Sequence, residues 1–455
     1  MTESEPKVSS PDLSEVDADP AFEEAKKRRS EEAKKRGSEE ARKRGSEEAR
    51  KRIEECRVKG EIELRLSGLG LTRLPDEVGQ LRSVEVIQLC GNRLSVLPDS
   101  IGDLASLKAL WIRSNELCQL PSAIGKLGRL RELHLQGNRL IALPPEIGKL
   151  CSLGKLTLGG NRLAALPQTL GQLRELEMLE LSDNLIESLP ESIVELSRLT
   201  LLLLERNALT ELPQNIGNLV SLRQLFLAGN RLRELPKSIG KLESLTWLDV
   251  GCNRLRSLPA SIGEISGLGY LRLSENQIRK FPDGLAKLKN LASLSLCKNG
   301  LKQMPLVVCE MKGLCALDLS DNDLESLPPQ IGRLRSLGQL LLNRNTLTEL
   351  PPEIGKLDSL VWLCAVTNEL KLIPPSIGEM KSLKCLTLDD NQLTEIPESI
   401  GFARSLETLE LANNCLRVIP ESVAASPTIK TLKLKGNPMP AAPLREGGNP
   451  ESGGL

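Results

Sequence analysis

The strongest constraint on this chain is a period. An Asn recurs every 23 residues from Asn92 to Asn437, sixteen times without a slip, and Leu69 holds the slot before the first. Around each lies the frame L-x-x-L-x-L-x-x-N-x-L-x-x-L-P, as in Leu130–Pro144 (LRELHLQGNRLIALP). Seventeen units with no insertion between them predict a solenoid, in which each unit buries its apolar face against the next and function lies on the outer surface rather than in a closed pocket. The 2% aromatic content fits a core filled almost wholly by Leu, with Ile and Val substituting.

The frame assigns most positions a structural task. The L-x-L pair reads as a short parallel strand with Leu turned inward and the x side chains on a concave face. The Asn, at the turn after the strand, offers both a donor and acceptors to loop backbone groups left without partners. The L-P that follows fixes a descending turn, because Pro sets its own φ. The I-G-x-L portion (Ile147–Leu150) predicts a turn or short helix on the convex side, its Gly there for backbone freedom. The fold expected over residues 61–440 is therefore an α/β solenoid, a horseshoe with a parallel concave sheet.

A second repeat precedes the first. EEAKKRRS, EEAKKRGS, EEARKRGS and EEARKRIE occupy residues 23–54. Glu stands four residues before Lys or Arg in each, a spacing that supports an exposed helix. Gly37 and Gly45 weaken it by about 1 kcal/mol each relative to Ala. Apolar residues arrive only at Ile53, Cys56 and Val58, so residues 23–60 predict a solvated helix whose last turn caps the open end of the solenoid. The run Lys26–Arg29 also has the composition of a nuclear address, but the interleaved Glu pairs favour the solvated helix. Residues 1–22 read as a disordered leader, and the Pro/Gly-rich residues 441–455 as a disordered tail. Lys430, Lys433, Lys435 and Pro438 at the last strand discourage strand addition there.

Sixty basic and sixty acidic residues balance to zero, which gives no support to a general nucleic-acid or membrane-surface binder. The first twenty residues hold no apolar stretch to serve as a secretory signal, and no run reaches the length of a membrane span. The eleven Cys are scattered without C-x-x-C spacing, and no N-x-S/T site occurs. Together these predict an intracellular protein, cytoplasmic with nuclear entry open, whose thiols are free and mostly packed. One His, no phosphate-binding G-x-x-x-x-G-K-[ST] and no ligand spacing for a metal argue against an enzyme, a cofactor or a metal site.

The segment L-P-x-x-I-G-x-L-x-S-L, as in Leu97–Leu107 (LPDSIGDLASL), is varied at Ile373–Leu383 (IPPSIGEMKSL). It resembles the Ras-group leucine-rich repeat proteins of plants, the animal Shoc-two Ras–Raf scaffold and the Ras-suppressor family. SGLGLTRLP (67–75) is also similar to the repeats of Roco proteins, whose GTPase domain has no counterpart here. The resemblance covers nearly the whole array. It implies an adaptor that holds a small GTPase, phosphatase or kinase, and because the shared motif consists of framework positions it carries over no binding residue.

What the frame leaves free are the positions six, four and two before each Asn. Trp111, Trp247, Trp362, the only Tyr (Tyr270), the only His (His134) and Phe226 all fall there. Large aromatics on a solvent face point to contact with a partner. The densest group spans units seven to ten. Leu201, Trp247 and Tyr270 share one column, and Leu203 and Phe226 lead into Asp249 and Arg272 in the next. At about 4.8 Å per strand they make a patch about 15 Å long with an apolar centre and a charged rim. The alternative is that the aromatics serve only as cross-strand pairs. Leu341, Trp362, Cys364 and Val366 form a second candidate, and Trp111, Arg113 and His134 a third, with His134 read as a surface residue. Cys364 and Cys385 share the face without further ligands. Arg93, Arg139, Arg162, Arg231 and Arg254 line one rim early in the arc, and Asp318, Asp321, Asp389, Asp390 and Glu410 add acid later. The first reading is a monomeric, non-enzymatic scaffold for a protein partner; the alternative is a structural protein that assembles with itself.

Overall fold

The computed structural model describes residues 20–439. The leader expected over 1–22 lies outside them apart from its last three residues, which begin a helix, and the tail expected over 441–455 lies wholly outside. Helix α1 (Pro20–Lys59) is followed by seventeen three-residue strands, from β1 (Glu63–Arg65) to β17 (Thr431–Lys433). Each strand pairs in parallel with the next, residue for residue one repeat later, as in Leu133 with Leu156. The central Leu or Ile of nearly every strand is buried, and the flanking residues face the concave side. These leucines, with those of the turns, form one continuous core from Ala49 to Val423. A fully buried Leu contributes about 1.5–3 kcal/mol over an exposed one, so the core itself fixes the register.

The Asn ladder is complete. In unit four, the Asn138 Oδ1 accepts the Leu117 N–H (3.1 Å), and its Nδ2 donates to the carbonyls of Ile112 (2.8 Å) and Leu135 (2.9 Å). The same three bonds recur from Asn92 to Asn437. Each Asn thus reaches 21 and 26 residues back, into the preceding unit. This explains Leu69. Asn there would reach for residues 43 and 48, and those lie in α1, whose backbone is already bonded within the helix.

The residue before each Asn takes a left-handed backbone in every unit. Gly fills the slot at 91, 137, 160, 229 and 436, but eleven others hold it too, among them Asp183, Lys298 and Thr367. This tight turn swings the chain off the strand, and its N–H still donates to the next unit, as from Ser114 to the Gln136 carbonyl (2.9 Å).

On the convex side the L-P-x-x-I-G segment forms short 3-10 turns entered from an extended Pro, as at Ser122–Lys126 after Pro121. The role expected of its Gly was wrong. Gly125 has no positive φ; a side chain there would come within 2.7 Å of the Glu146 carbonyl in the next unit, and one at Gly332 within 2.8 Å of that of Glu353. Gly serves close approach between neighbouring turns, not backbone freedom. Hydroxyls add a second ladder: Ser261 and Ser376 donate to carbonyls 24 residues earlier, Lys237 (2.6 Å) and Pro352 (2.7 Å).

Helix α1 meets the solenoid along Gly45, Ala49, Ile53 and Cys56, one helical face more than two turns long. The Arg52 guanidinium donates to the Arg65 carbonyl (3.0 Å) and the Cys56 N-terminal neighbours stay exposed. Gly45 is required here, because a side chain would collide with the Leu69 carbonyl. The contact is longer than the last turn that the sequence suggested. Val58, expected to help cover the end, is instead exposed.

Candidate protein-binding face

The three-residue strands bring the central candidates together. In β7 (Leu201–Leu203), β8 (Gln224–Phe226), β9 (Trp247–Asp249) and β10 (Tyr270–Arg272), Leu201, Gln224, Trp247 and Tyr270 stand side by side, as do Leu203, Phe226, Asp249 and Arg272. The Trp247 and Tyr270 rings stack at 4.5 Å with 17° between planes, and Phe226 lies 5.8 Å from Trp247 at a tilt of 37°. Cross-strand pairing therefore exists, as the more modest reading held. It does not hide the rings: Trp247 remains 36% and Tyr270 46% exposed. Leu201, Leu203 and Phe226 are half-buried around them.

Asp249 departs from the rim role expected of it, being 7% exposed. It accepts the Gly251 N–H (2.9 Å) and lies 3.5 Å from the Arg272 guanidinium. Burial pushes its carboxyl above the usual range, against the pull of that N–H and of Arg272. Sequence reasoning missed two further carboxylates beside the patch. Glu180, in β6 (Met178–Glu180), accepts the N–H groups of Gly159 (2.8 Å) and Ser182 (3.2 Å), and burial raises its pKa. Glu205 accepts from the Ser182 hydroxyl (2.7 Å). Positions four and two before an Asn could have flagged them, but nothing in the period tells how deep the concave floor runs. Arg272, exposed, donates from Nε to the Ser274 hydroxyl oxygen (2.9 Å).

The second candidate holds together as a strip. Trp362 is 51% exposed between Gln339 and Cys385, and Leu341 adjoins Cys364, both half-buried, as is Val366. The Val366 N–H donates to the Asn343 side chain (2.9 Å). Among the described residues no second ring joins Trp362, so this is the smaller surface.

The third candidate is corrected. His134 is 7% exposed, not a surface residue. Its Nδ1 accepts from the Arg113 guanidinium (3.0 Å) and the Thr157 hydroxyl (2.9 Å), which leaves the proton on Nε2, donating to the Glu132 carboxylate (3.1 Å). Lys155 completes the chain 3.0 Å from Glu132. Burial lowers the imidazole pKa, with Glu132 opposing it and Arg113 assisting. The Trp111 ring stands edge-on to His134 at 5.7 Å. These side chains hold one another rather than presenting a free imidazole.

The thiols also differ from expectation. All eleven Cys are free, but only Cys56 and Cys309 are buried. Burial and nearby Asp318 and Asp321 push Cys297 up to about 12, which leaves it little thiolate character. Among the described residues no group of three or more His, Cys, Asp or Glu side chains could hold a metal, and no helix is long and apolar enough to cross a membrane.

An open, one-sheet solenoid with its side chains free only on the outer faces defines a repeat protein of the interaction type. The leucine-rich repeat region family matches residues 144–227 and 213–318, and the leucine rich repeat family residues 82–140 and 381–439. A leucine-rich repeat protein of Leptospira interrogans is 36% identical, with a TM-score of 0.74 over 85% of this chain and 93% of that one. The chain belongs to the leucine-rich repeat proteins. The Yersinia pestis effector YopM is 27% identical (TM-score 0.57, 86% and 93% covered). The Arabidopsis receptor kinase HAESA, solved with a peptide hormone and a co-receptor, is 31% identical (TM-score 0.57, 83% and 70% covered). No curated protein sequence matches.

Proposed function

We propose that this protein is a non-enzymatic, cytoplasmic adaptor that captures a protein partner on the concave face of units seven to ten, in small-GTPase signalling. The observation that carries the binding site is the Trp247–Tyr270 stack, two large rings held rigid yet open to solvent. Rigid aromatics lose little entropy on binding and dominate hot spots. Asp249 lies beside Phe226 and Glu180 beside Leu203 at the margin of the patch, with Glu205 two residues after Leu203, so the surface suits a partner segment that combines an apolar or planar side chain with a Lys or Arg. The pathway rests on the L-P-x-x-I-G resemblance, a fold-level warrant. The binding of a peptide hormone by the HAESA receptor is a precedent for partner capture by such a solenoid.

The test is capture from native lysate with wild type and a Phe226→Ala/Trp247→Ala/Tyr270→Ala variant side by side, together with a purified Ras-type GTPase in its GDP and GTP-analogue forms. Loss of a specific set of proteins from a variant that melts like wild type supports the site. Capture that survives the triple change sinks the site, and no nucleotide-dependent GTPase binding sinks the pathway. Sedimentation across a concentration series addresses self-assembly, which predicts growth in mass with concentration.

A further inference from the structure

The edge that follows the strands carries a charge pattern that the concave face does not explain. In each unit the residues one, three and four after the Asn lie along this edge. In units eight and nine they include Arg231, Arg233, Arg254 and Arg256, with Glu234 the one carboxylate among them; in units ten and eleven, the cations are Arg279, Lys280 and Lys302. All seven cations are exposed, and among the described residues none enters an ion pair. The neighbouring pairs, Arg272 with Asp249 and Lys298 with Glu275, belong to the concave face and to the turn before the Asn. Earlier on this rim the cations are single rather than doubled in a unit, and one of them, Arg139, is paired with Glu116 at 3.1 Å.

The cations converge. Arg256, Arg279 and Lys280 line an open hollow of about 590 Å³ together with Ser257, Gln277 and Asn299, and no carboxylate joins them. A backbone bridge between Ser257 and Lys280 lies outside the strands and ties the two loops that form it. The hollow is thus a basic cleft on a braced backbone.

We propose that this rim is a docking site for a phosphorylated segment of a partner protein. Three cations with the Ser257 hydroxyl and the Gln277 amide around one hollow, Asn299 being committed to the ladder, exceed what a single carboxylate satisfies. A phosphoryl group, with a charge near −2 and three acceptor oxygens, matches them. The length of the track decides against larger polyanions. Four units span about 15 Å at the spacing of strands, and the same edge turns acidic on both sides, at Glu187 and Glu211 before it and Asp323 and Glu325 after it. A nucleic-acid strand or a bilayer surface would run onto those carboxylates; a short peptide bearing one phosphate, with a few acidic neighbours for the outlying arginines, would not. The site stands apart from the aromatic patch, although units eight to ten carry both.

The experiment is fluorescence anisotropy on the full chain with a labelled ten-residue peptide carrying one central phosphoserine among glutamates. Parallel arms use the same peptide with serine, the same peptide with glutamate in that place, a ten-nucleotide DNA strand, and phosphatidylcholine vesicles containing one third phosphatidylserine. The phosphopeptide is expected to bind at least about tenfold tighter than the serine and glutamate peptides, the scale of one charge-assisted hydrogen-bond set. Arg256→Glu/Arg279→Glu removes that preference and leaves thermal unfolding unchanged, since both side chains are exposed. Trp247→Ala/Tyr270→Ala binds the phosphopeptide like wild type, so failure here is distinct from failure of the concave site. Equal binding of the three peptides, indifference to the charge reversal, or DNA or vesicles binding as tightly as the phosphopeptide overturns the proposal.

Discussion

Replacing Asn322 by Ala removes five hydrogen bonds, but they are not equal. The side chain donates to the carbonyls of Leu296, Leu319 and Ser320, and each keeps another donor: Asn299 Nδ2 (3.1 Å), Asn345 Nδ2 (3.0 Å) and the Lys298 N–H (3.0 Å). Its Oδ1 accepts from the amides of Asn299 (2.9 Å) and Leu301 (3.0 Å), which have no other acceptor. The damage is therefore two stranded N–H groups in a buried turn, at about 1–3 kcal/mol each, or about 3–4 kcal/mol together. Asn437 in the last unit is half-buried and accepts only the Leu416 N–H (3.0 Å). Water can replace it there, and Asn437→Ala should cost about 1 kcal/mol. Because long repeat arrays need not unfold in one step, urea unfolding by circular dichroism is best joined to hydrogen exchange over residues 296–301. Asn322→Ala should speed exchange at that turn more than elsewhere. Equal, small losses at both positions, with unchanged exchange at the turn, would refute the account of the ladder.

Two other outcomes follow from the backbone and the buried imidazole. Thr367 is exposed, β-branched and held at φ 57°, so Thr367→Gly relieves a strain of about 1–3 kcal/mol against an entropic loss of about 0.5–1 kcal/mol; a net gain of about 1 kcal/mol in thermal unfolding is expected, and a loss would contradict it. For His134, burial holds the folded pKa below the ordinary imidazole value of about 6.5, so the unfolded chain takes up the proton first as pH falls. Its contribution to stability is whole above about pH 6.5 and declines as pH falls through the folded value, a dependence that should vanish in His134→Gln when the two melting profiles are subtracted from about pH 8 to about pH 5.5; parallel profiles would show that the imidazole is not protected.

The frame was legible because its residues do one thing in every unit. Leu at the strand centre must be inside, and an Asn side chain carries the donor and acceptors that an irregular turn lacks. Other features depend on the neighbouring unit and leave no mark in a single one. Gly125 looks like any turn Gly until the Glu146 carbonyl is seen against it. Gly45 looks like a weak point in a helix until Leu69 is placed opposite. His134 occupies a position that faces out by period, yet Glu132, Thr157 and Arg113 close over it. The left-handed slot was signalled by Gly at 91, 137, 160 and 229 and masked by the eleven other residues that tolerate it. At the patch, the columns followed from the repeat, whereas the ring stack and the depth of Asp249 arise from how side chains of neighbouring strands settle against one another.

The ladder's bonds between units all point one way, and that gives the array a start but no prescribed finish. Every Asn leans on the unit before it, so a unit inserted or deleted in whole multiples of the period leaves each remaining Asn with its partners. The first position is different, because there is nothing behind it, and Leu69 with Gly45 of α1 closes it by apolar contact instead. Copy number can therefore drift by duplication or loss within the array at little structural cost, carrying the concave patch nearer to or farther from the ends. Loss of the opening unit alone would leave Asn92 with buried groups unmatched and α1 with no surface to cover.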